Sequence, residues 1–283
     1  MQRIADATLE DDLRTRYGRD GFVVLPRLFP SARLNAIRRD VGRVFAARRD
    51  GQMKDPDIDG SLEDLMTGLF TDNFAGYHGA ARLCNHLISL HRLSLSEEIV
   101  ENLILLGLDF PAVCARPVMW FHSPRVAKTE RYHRLPAHQE WSNMQGSLDG
   151  AVAWMPLVPV SPDMGRLQVV PGSHRRGLLP FGKDETKDYP LSIAPDKVND
   201  VEFVEVDVPL GGALIFSAFL IHRSGTNRSD KVRLTVNFRY NNAAEPTFIA
   251  RDFLNPFLYA VPEELKTPGF PTAEQVRTVF EKS

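Results

Sequence analysis

A histidine and a carboxylate stand two residues apart in Pro136-Ala137-His138-Gln139-Glu140-Trp141, and a second histidine follows far downstream in Ile221-His222-Arg223-Ser224-Gly225. Two imidazole nitrogens and one carboxylate oxygen are the donor set of the 2-His-1-carboxylate facial triad, which keeps open positions on a non-haem Fe(II). On an extended segment side chains i and i+2 share a face, so His138 and Glu140 can reach one ion, with His222 arriving from another strand end. By itself His-x-Glu occurs by chance, and a structural role is its ordinary meaning. Arg233 supplies context. After His222 the chain can turn through Ser224-Gly225-Thr226-Asn227 and return along a neighbouring strand, where a guanidinium grips a carboxylate in two places. A dicarboxylate held by the metal at one end and Arg233 at the other would be 2-oxoglutarate-like; a surface ion pair is the plainer role for Arg233 alone.

Groups so far apart in sequence need a rigid frame, and the second half of the chain reads as one. Residues 116–124, 150–158, 166–170, 201–208, 213–216 and 232–240 are short strand-like runs, punctuated by Pro159, Pro162, Pro171-Gly172, Pro209 and Gly211-Gly212. Such spacing implies a sandwich or closed barrel, not a parallel sheet. Along the last run Val232, Leu234, Val236, Phe238 and Tyr240 share one side; Arg233, Thr235, Asn237 and Arg239 share the other. In a plain sandwich the polar side faces water. Around a ligand-binding lumen the relation inverts, and the apolar side needs cover.

That cover is on offer in the first hundred residues. A short strand over Gly21–Leu25 precedes a helix in which Leu34, Ile37, Val41, Val44 and Phe45 recur at helical spacing, with Ser31 as its expected N-cap and Gly51 as its stop. Helical pattern resumes from Ser61 to Leu108, with Ser61–Asp64 and Ser94–Glu97 as expected capping boxes. His78, His86 and His91 in this stretch form no pair with a nearby carboxylate and read as surface or packing residues. A terminal helix is expected over 272–280.

The chain has 283 residues, 43% hydrophobic and 25% charged, with a formal net charge of −2. These values describe a globular protein and point away from nucleic acid, whose binding rests on basic patches. Arg38, Arg39, Arg43, Arg48 and Arg49 fit the solvated face of a helix, and Arg125, Lys128, Arg131 and Arg134 a solvated loop. Cys84 and Cys114 have no CxxC spacing, so a reducing compartment is expected. No secretory signal and no run long enough to span a membrane is visible, and the expected location is cytoplasmic. Nothing in the sequence speaks to oligomeric state.

Several spaced motifs together resemble the phytanoyl-CoA dioxygenase-like family of Fe(II)/2-oxoglutarate-dependent oxygenases. They are Asp20-Gly21-Phe22-Val23-Val24-Leu25 with the amphipathic helix after it, Pro136 to Trp141, Gly165-Arg166-Leu167-Gln168-Val169-Val170-Pro171-Gly172-Ser173-His174, His222 to Asn227, and Arg233. Their order is more specific than any one of them. The resemblance implies a mainly β fold with flanking helices: a double-stranded β-helix (jelly-roll, cupin-like) core covered by N-terminal helices. One oxygenase domain would span 1–283, with helical cover over 1–110, the jelly-roll over 111–243 and a tail over 244–283. It implies His138, Glu140 and His222 as iron ligands and Arg233 as the partner of the distal carboxylate of 2-oxoglutarate. Ser224 and Trp154 match positions lining the co-substrate site. Thr235 shares the face of Arg233, and His122 falls near a co-substrate contact. His174 belongs to a turn outside the triad. His133 lies in a charged loop, where a plain surface role stands beside a lid or substrate one; Trp141 and Gln145 follow the motif toward the substrate side, with packing an equal reading for Trp141.

The implied activity is dioxygenase hydroxylation of a small organic substrate with O₂, releasing succinate and CO₂. Two alternatives are a cupin-like metal protein that does not use 2-oxoglutarate and a binding module with a vestigial site. One departure stands out: the family pattern is His-x-Asp, and glutamate carries its carboxylate ~1.5 Å further from the backbone.

Overall fold

The structure, a computed structural model, describes residues 2–55, 57–58, 62–128, 134–180 and 192–254. Ser61, His133 and the helix expected over 272–280 lie outside them. Its first part is helical: α1 (Gln2–Asp20), the short strand β1 (Phe22–Leu25), then α2 (Ser31–Asp50), α3 (Leu62–Asp72), α4 (Phe74–Cys84), α5 (Ile88–Ser94) and α6 (Glu97–Leu105). The second part holds β2 (Pro111–His122), the one-turn α7 (Trp141–Met144), β3 (Ala151–Pro156), β4 (Leu167–Val169), β5 (Val204–Val206), β6 (Ala213–Ser217), β7 (His222–Ser224), β8 (Arg233–Asn242) and α8 (Pro246–Ala250). Of the described residues, helices make up 42% and strands 21%, so the expectation of a mainly β chain is corrected to a mixed fold of helices and antiparallel sheet. The strands are short, and several residues read as strand form turns instead: Asp200–Glu202 is a 3-10 turn, which leaves only Val204–Val206 paired.

Local chemistry explains the helix ends. Pro30, with φ −67° and ψ 143°, occupies the N-cap place of α2 and Ser31 is its first helical residue, so the expected serine cap is not formed. The pyrrolidine ring already fixes the φ that an extended cap needs. Gly51, at φ 72°, closes α2 by donating its N–H to Ala47 O, the left-handed stop that glycine adopts without a Cβ penalty. The capping box expected at Ser94 is absent too: its hydroxyl donates to His91 O at 2.8 Å inside α5, and Ser96 takes the cap position of α6.

Five strands form one antiparallel sheet in the order β1-β6-β3-β8-β2, and three form a second in the order β5-β4-β7. β2 and β8 are registered with His122 opposite Arg233, Trp120 opposite Thr235 and Val118 opposite Asn237. Their ladder slips between Val113 and Val118, where Pro117 has no N–H to donate. Val232, just before β8, and Leu234, Val236, Phe238 and Tyr240 of β8 join one core cluster with Leu34, Ile37, Phe45, Leu90 and Leu103 of the helices. Arg233, Thr235, Asn237 and Arg239 on the other face are buried as well. Helices therefore cover the apolar side, and the polar side lines the interior. A second cluster joins Val152, Trp154 and Phe216 of the large sheet to Leu167, Val169 and Val206 of the small one, so the site lies between two facing sheets. Cys84 and Cys114 are both buried, and no disulfide joins them. Among the described residues no helix is long and apolar enough to cross a membrane.

Candidate metal centre

His138 and His222 exchange both backbone hydrogen bonds, at 3.0 and 3.1 Å, as an isolated antiparallel bridge. Residues paired in this way sit directly opposite and project their side chains to the same face, and the two rings lie 4.2 Å apart between centroids. Each ring is oriented by a backbone carbonyl two residues upstream. His138 Nδ1 is 2.8 Å from Pro136 O, and His222 Nδ1 is 3.0 Å from Leu220 O. A carbonyl only accepts, so each Nδ1 carries the proton and each Nε2 keeps its lone pair for a ligand. Burial, then the neighbouring His222, pushes the His138 pKa down to about 3 against the opposing pull of Glu140. The imidazole is neutral, as a metal ligand must be.

Glu140 completes the group by a different route from the one expected. Its φ of −68° and ψ of −27° are helical, at the N-cap of α7. The turn into α7, not the alternation of an extended strand, brings its carboxylate beside His138. Trp141 N–H donates to Ala218 O at 2.9 Å and anchors the turn. Glu140 Oε1 is 4.0 Å from His138 Nε2 and 3.8 Å from His222 Nε2. One ligand atom from each of the three residues falls within 4.8 Å of the others, and all three residues are buried.

Two residues that the sequence reading left without a role sit against this carboxylate. Arg239 donates Nε to Oε2 at 2.9 Å and Nη2 to Oε1 at 3.1 Å, and Asn237 Nδ2 donates to Oε1 at 3.4 Å. Burial alone would raise the Glu140 pKa; the Arg239 guanidinium, helped by the two histidines, holds it well below the usual carboxylate range. Gln139, between the ligands, is buried and satisfied. Its amide nitrogen donates to Gly177 O and Phe219 O, both at 2.7 Å, and its oxygen accepts Leu179 N–H at 2.8 Å. The alternation of β8 placed Asn237 and Arg239 on the right face, but nothing local says which carboxylate meets them.

Arg233 lies further along the same face of β8. Its Nη1 donates to Met164 O at 3.2 Å and Gly225 O at 3.4 Å, and its Nη2 is 3.0 Å from His122 Nδ1. Among the described residues it has no carboxylate partner, and burial pushes its pKa down to about 10. It is a buried cation, charged at neutral pH. The socket depends on Gly165, at φ +74°, where a Cβ would lie 2.4 Å from Gly225 O.

His122 lies beside Arg233, with Trp120 stacked on it at 5.4 Å and 10°. Trp154 and Ser224 line, with Trp120, Asn237 and the two histidines, a cavity of about 20 Å³ at the triad. Thr235 is buried on the same face, opposite Trp120 and Pro156. His174 stands apart in the 3-10 turn Ser173–Arg176 against Gly21. Trp141 is half-buried and stacks on Phe219, while Gln145 caps α7 at φ 48°. Two members of the basic loop are engaged, with Arg125 on Thr67 Oγ1 at 3.3 Å and Lys128 3.5 Å from the centre of the Phe74 ring.

Comparison with known proteins puts this geometry in a family. No curated protein matches significantly. Among solved structures, the non-haem α-ketoglutarate-dependent epimerase SnoN from nogalamycin biosynthesis aligns over 95% of both chains at 20% identity, with a TM-score of 0.55. A second SnoN structure, in complex with Fe³⁺, α-ketoglutarate and nogalamycin RO, scores 0.53 over 95% of this chain and 98% of that one, at 20% identity. AviO1 from Streptomyces viridochromogenes Tue57 is 22% identical over 84% of this chain and 96% of its own, with a TM-score of 0.51. At these identities the likeness is one of fold. The model of the phytanoyl-CoA dioxygenase (PhyH) family matches residues 17–235, a stretch that includes every motif described above, and the chain belongs to that family.

Proposed function

We propose that the chain is a non-haem Fe(II)/2-oxoglutarate-dependent dioxygenase that hydroxylates a small organic substrate, with O₂ as co-substrate and succinate and CO₂ as products. The observation that carries this reading is the pairing of two buried features. Three ligand atoms from His138, Glu140 and His222 lie within 4.8 Å of one another, and the unmatched guanidinium of Arg233 stands on the strand that serves the same site. The donor set fits Fe(II): two imidazoles whose Nδ1 atoms are turned to backbone carbonyls, one ionised carboxylate, and no thiolate to favour zinc or copper. His138 Nε2, His222 Nε2 and Glu140 Oε1 would hold the ion. Iron with bound 2-oxoglutarate supplies O₂ activation and the oxidising power for C–H cleavage.

The rest is the work of the chain. Arg233 binds the distal carboxylate of 2-oxoglutarate, and its pKa near 10 keeps it cationic for that task. Trp154, Ser224, Thr235 and His122 wall the co-substrate, with Trp120 stacked behind His122. Burial between two sheets excludes water. At about 20 Å³ the cavity between these side chains admits a water-sized group. The two facing sheets fit a double-stranded β-helix over 111–243 with helical cover over 1–110, working as one domain.

The test is turnover. Purified protein with Fe(II), 2-oxoglutarate and air should release succinate, and a panel of small organic candidates should stimulate that release. Mass analysis then separates hydroxylation, which adds one oxygen atom, from an epimerisation that leaves composition unchanged. Absence of succinate under every condition sinks the reading.

A further inference from the structure

The clamp of Arg239 on Glu140 has no counterpart at the histidines, whose orientation comes from backbone carbonyls. We propose that Arg239 is a positioning residue that keeps Glu140 a one-oxygen ligand and so preserves the open positions that 2-oxoglutarate needs; this rests on reading the site as an Fe(II)/2-oxoglutarate centre. The two carboxylate oxygens differ in what they face. Oε1 is turned to both imidazoles, at 4.0 and 3.8 Å from the Nε2 atoms. Oε2 is turned the other way, onto Arg239 Nε at 2.9 Å. The second arm of the fork reaches Oε1 at 3.1 Å, and Asn237 reaches it at 3.4 Å. At 3.4 Å the Asn237 contact is long and weak, so that acceptor site on Oε1 is the one a metal can take, while Oε2 is committed to the guanidinium.

This matters more for glutamate than for aspartate. An extra methylene adds a rotatable bond, and a carboxylate on the longer arm can swing both oxygens onto one ion. Two-oxygen binding would occupy one of the positions that a facial triad leaves open. A planar fork that holds both oxygens fixes the carboxylate plane and blocks the swing. Arg239 can do so because it is itself fixed: it lies within β8, paired with Val152 of β3 and Ala115 of β2, and its side chain is only 9% exposed. The arrangement thus fits the departure from His-x-Asp, with the longer acid and its arginine working as a pair.

The experiment separates metal affinity from co-substrate affinity. Mn(II) binding is followed by electron paramagnetic resonance, and 2-oxoglutarate binding to the Mn(II)-loaded protein by calorimetry, for wild type and Arg239→Lys. Lysine keeps the charge but offers a single point where arginine offers a fork. The expected result is Mn(II) affinity equal to or tighter than wild type, with 2-oxoglutarate weakened about tenfold or more, the scale usual for residues that orient ligands. Unchanged 2-oxoglutarate affinity overturns the proposal, as does loss of Mn(II) binding in a variant that keeps the wild-type circular dichroism. If Arg239→Lys does not fold, Arg239→Gln, which can hold one oxygen only, is judged by the same two titrations. A wild type that binds Mn(II) but not 2-oxoglutarate removes the reading of the whole site, and the proposal falls with it.

Discussion

Glu140 is the residue on which the chemistry turns, and its partners set what happens when it is removed. Its carboxylate and the Arg239 guanidinium are both buried and bonded in two places. Removing one member of a buried pair strands the other, which typically costs about 3–5 kcal/mol. Glu140→Ala should therefore lose metal binding and also destabilise the metal-free protein by about that amount in urea denaturation. Adding Arg239→Met to it should cost less than the two single changes summed, because the stranded charge is gone; simple additivity would mean the pair is not coupled. His138 gives a second prediction. Its folded pKa of about 3 lies below the ordinary value of 6.5, so between these the unfolded chain binds the extra proton. Stability should fall as pH drops below 6.5, at up to about 1.4 kcal/mol per pH unit for this one group. Glu140, held below its ordinary range, adds to the loss only at lower pH. Urea midpoints across pH 6.5 to 4.5 check this, and the slope should be shallower in His138→Gln. An equal slope in that variant would remove His138 as its source.

Elements were legible in the sequence where one face repeats and illegible where the chain turns. The apolar stripe of α2 is buried as its spacing implies, and the alternation of β8 sorted helix-facing residues from site-facing ones. Glu140 was placed on an extended segment, because spacing cannot show that Gln139 satisfies Gly177, Leu179 and Phe219 while the chain curls into α7. Arg239 was on the right face, but its partner comes from that turn, a tertiary fact with no local signature. Ser31 and Ser94 failed as caps because neighbouring residues took the cap positions. Two substitutions test how elements support the site. Gly165→Ala would set a Cβ 2.4 Å from Gly225 O, and Gly225 O with Met164 O seats Arg233. It should weaken 2-oxoglutarate binding by calorimetry while leaving Mn(II) affinity near wild type; the reverse order would detach Gly165 from the Arg233 socket. Phe45 ties α2 to α4 and β2 through Tyr77 at 5.7 Å and Phe121 at 5.6 Å. Phe45→Ala should cost about 3–5 kcal/mol in urea denaturation, as large core deletions do.

Across the whole molecule, labour is divided between two faces of one sheet. Helices from the first hundred residues cover its apolar side, which frees the other side to carry two arginines, a threonine and an asparagine into a buried site. The cost of burying those groups is met at Arg239 by Glu140. At Arg233, among the described residues, it is met by carbonyls and His122, where the proposed dicarboxylate would supply the counter-charge. The most direct measurement follows from that asymmetry. Under anaerobic conditions Fe(II) and 2-oxoglutarate are added together to the protein, and the visible spectrum is recorded for the weak charge-transfer band of the chelate. Chelation at this site predicts the band in wild type, a markedly higher 2-oxoglutarate requirement in Arg233→Ala, and no band in His138→Ala or His222→Ala. A wild type that binds Fe(II) yet never develops the band, or an Arg233→Ala protein that titrates like wild type, contradicts it.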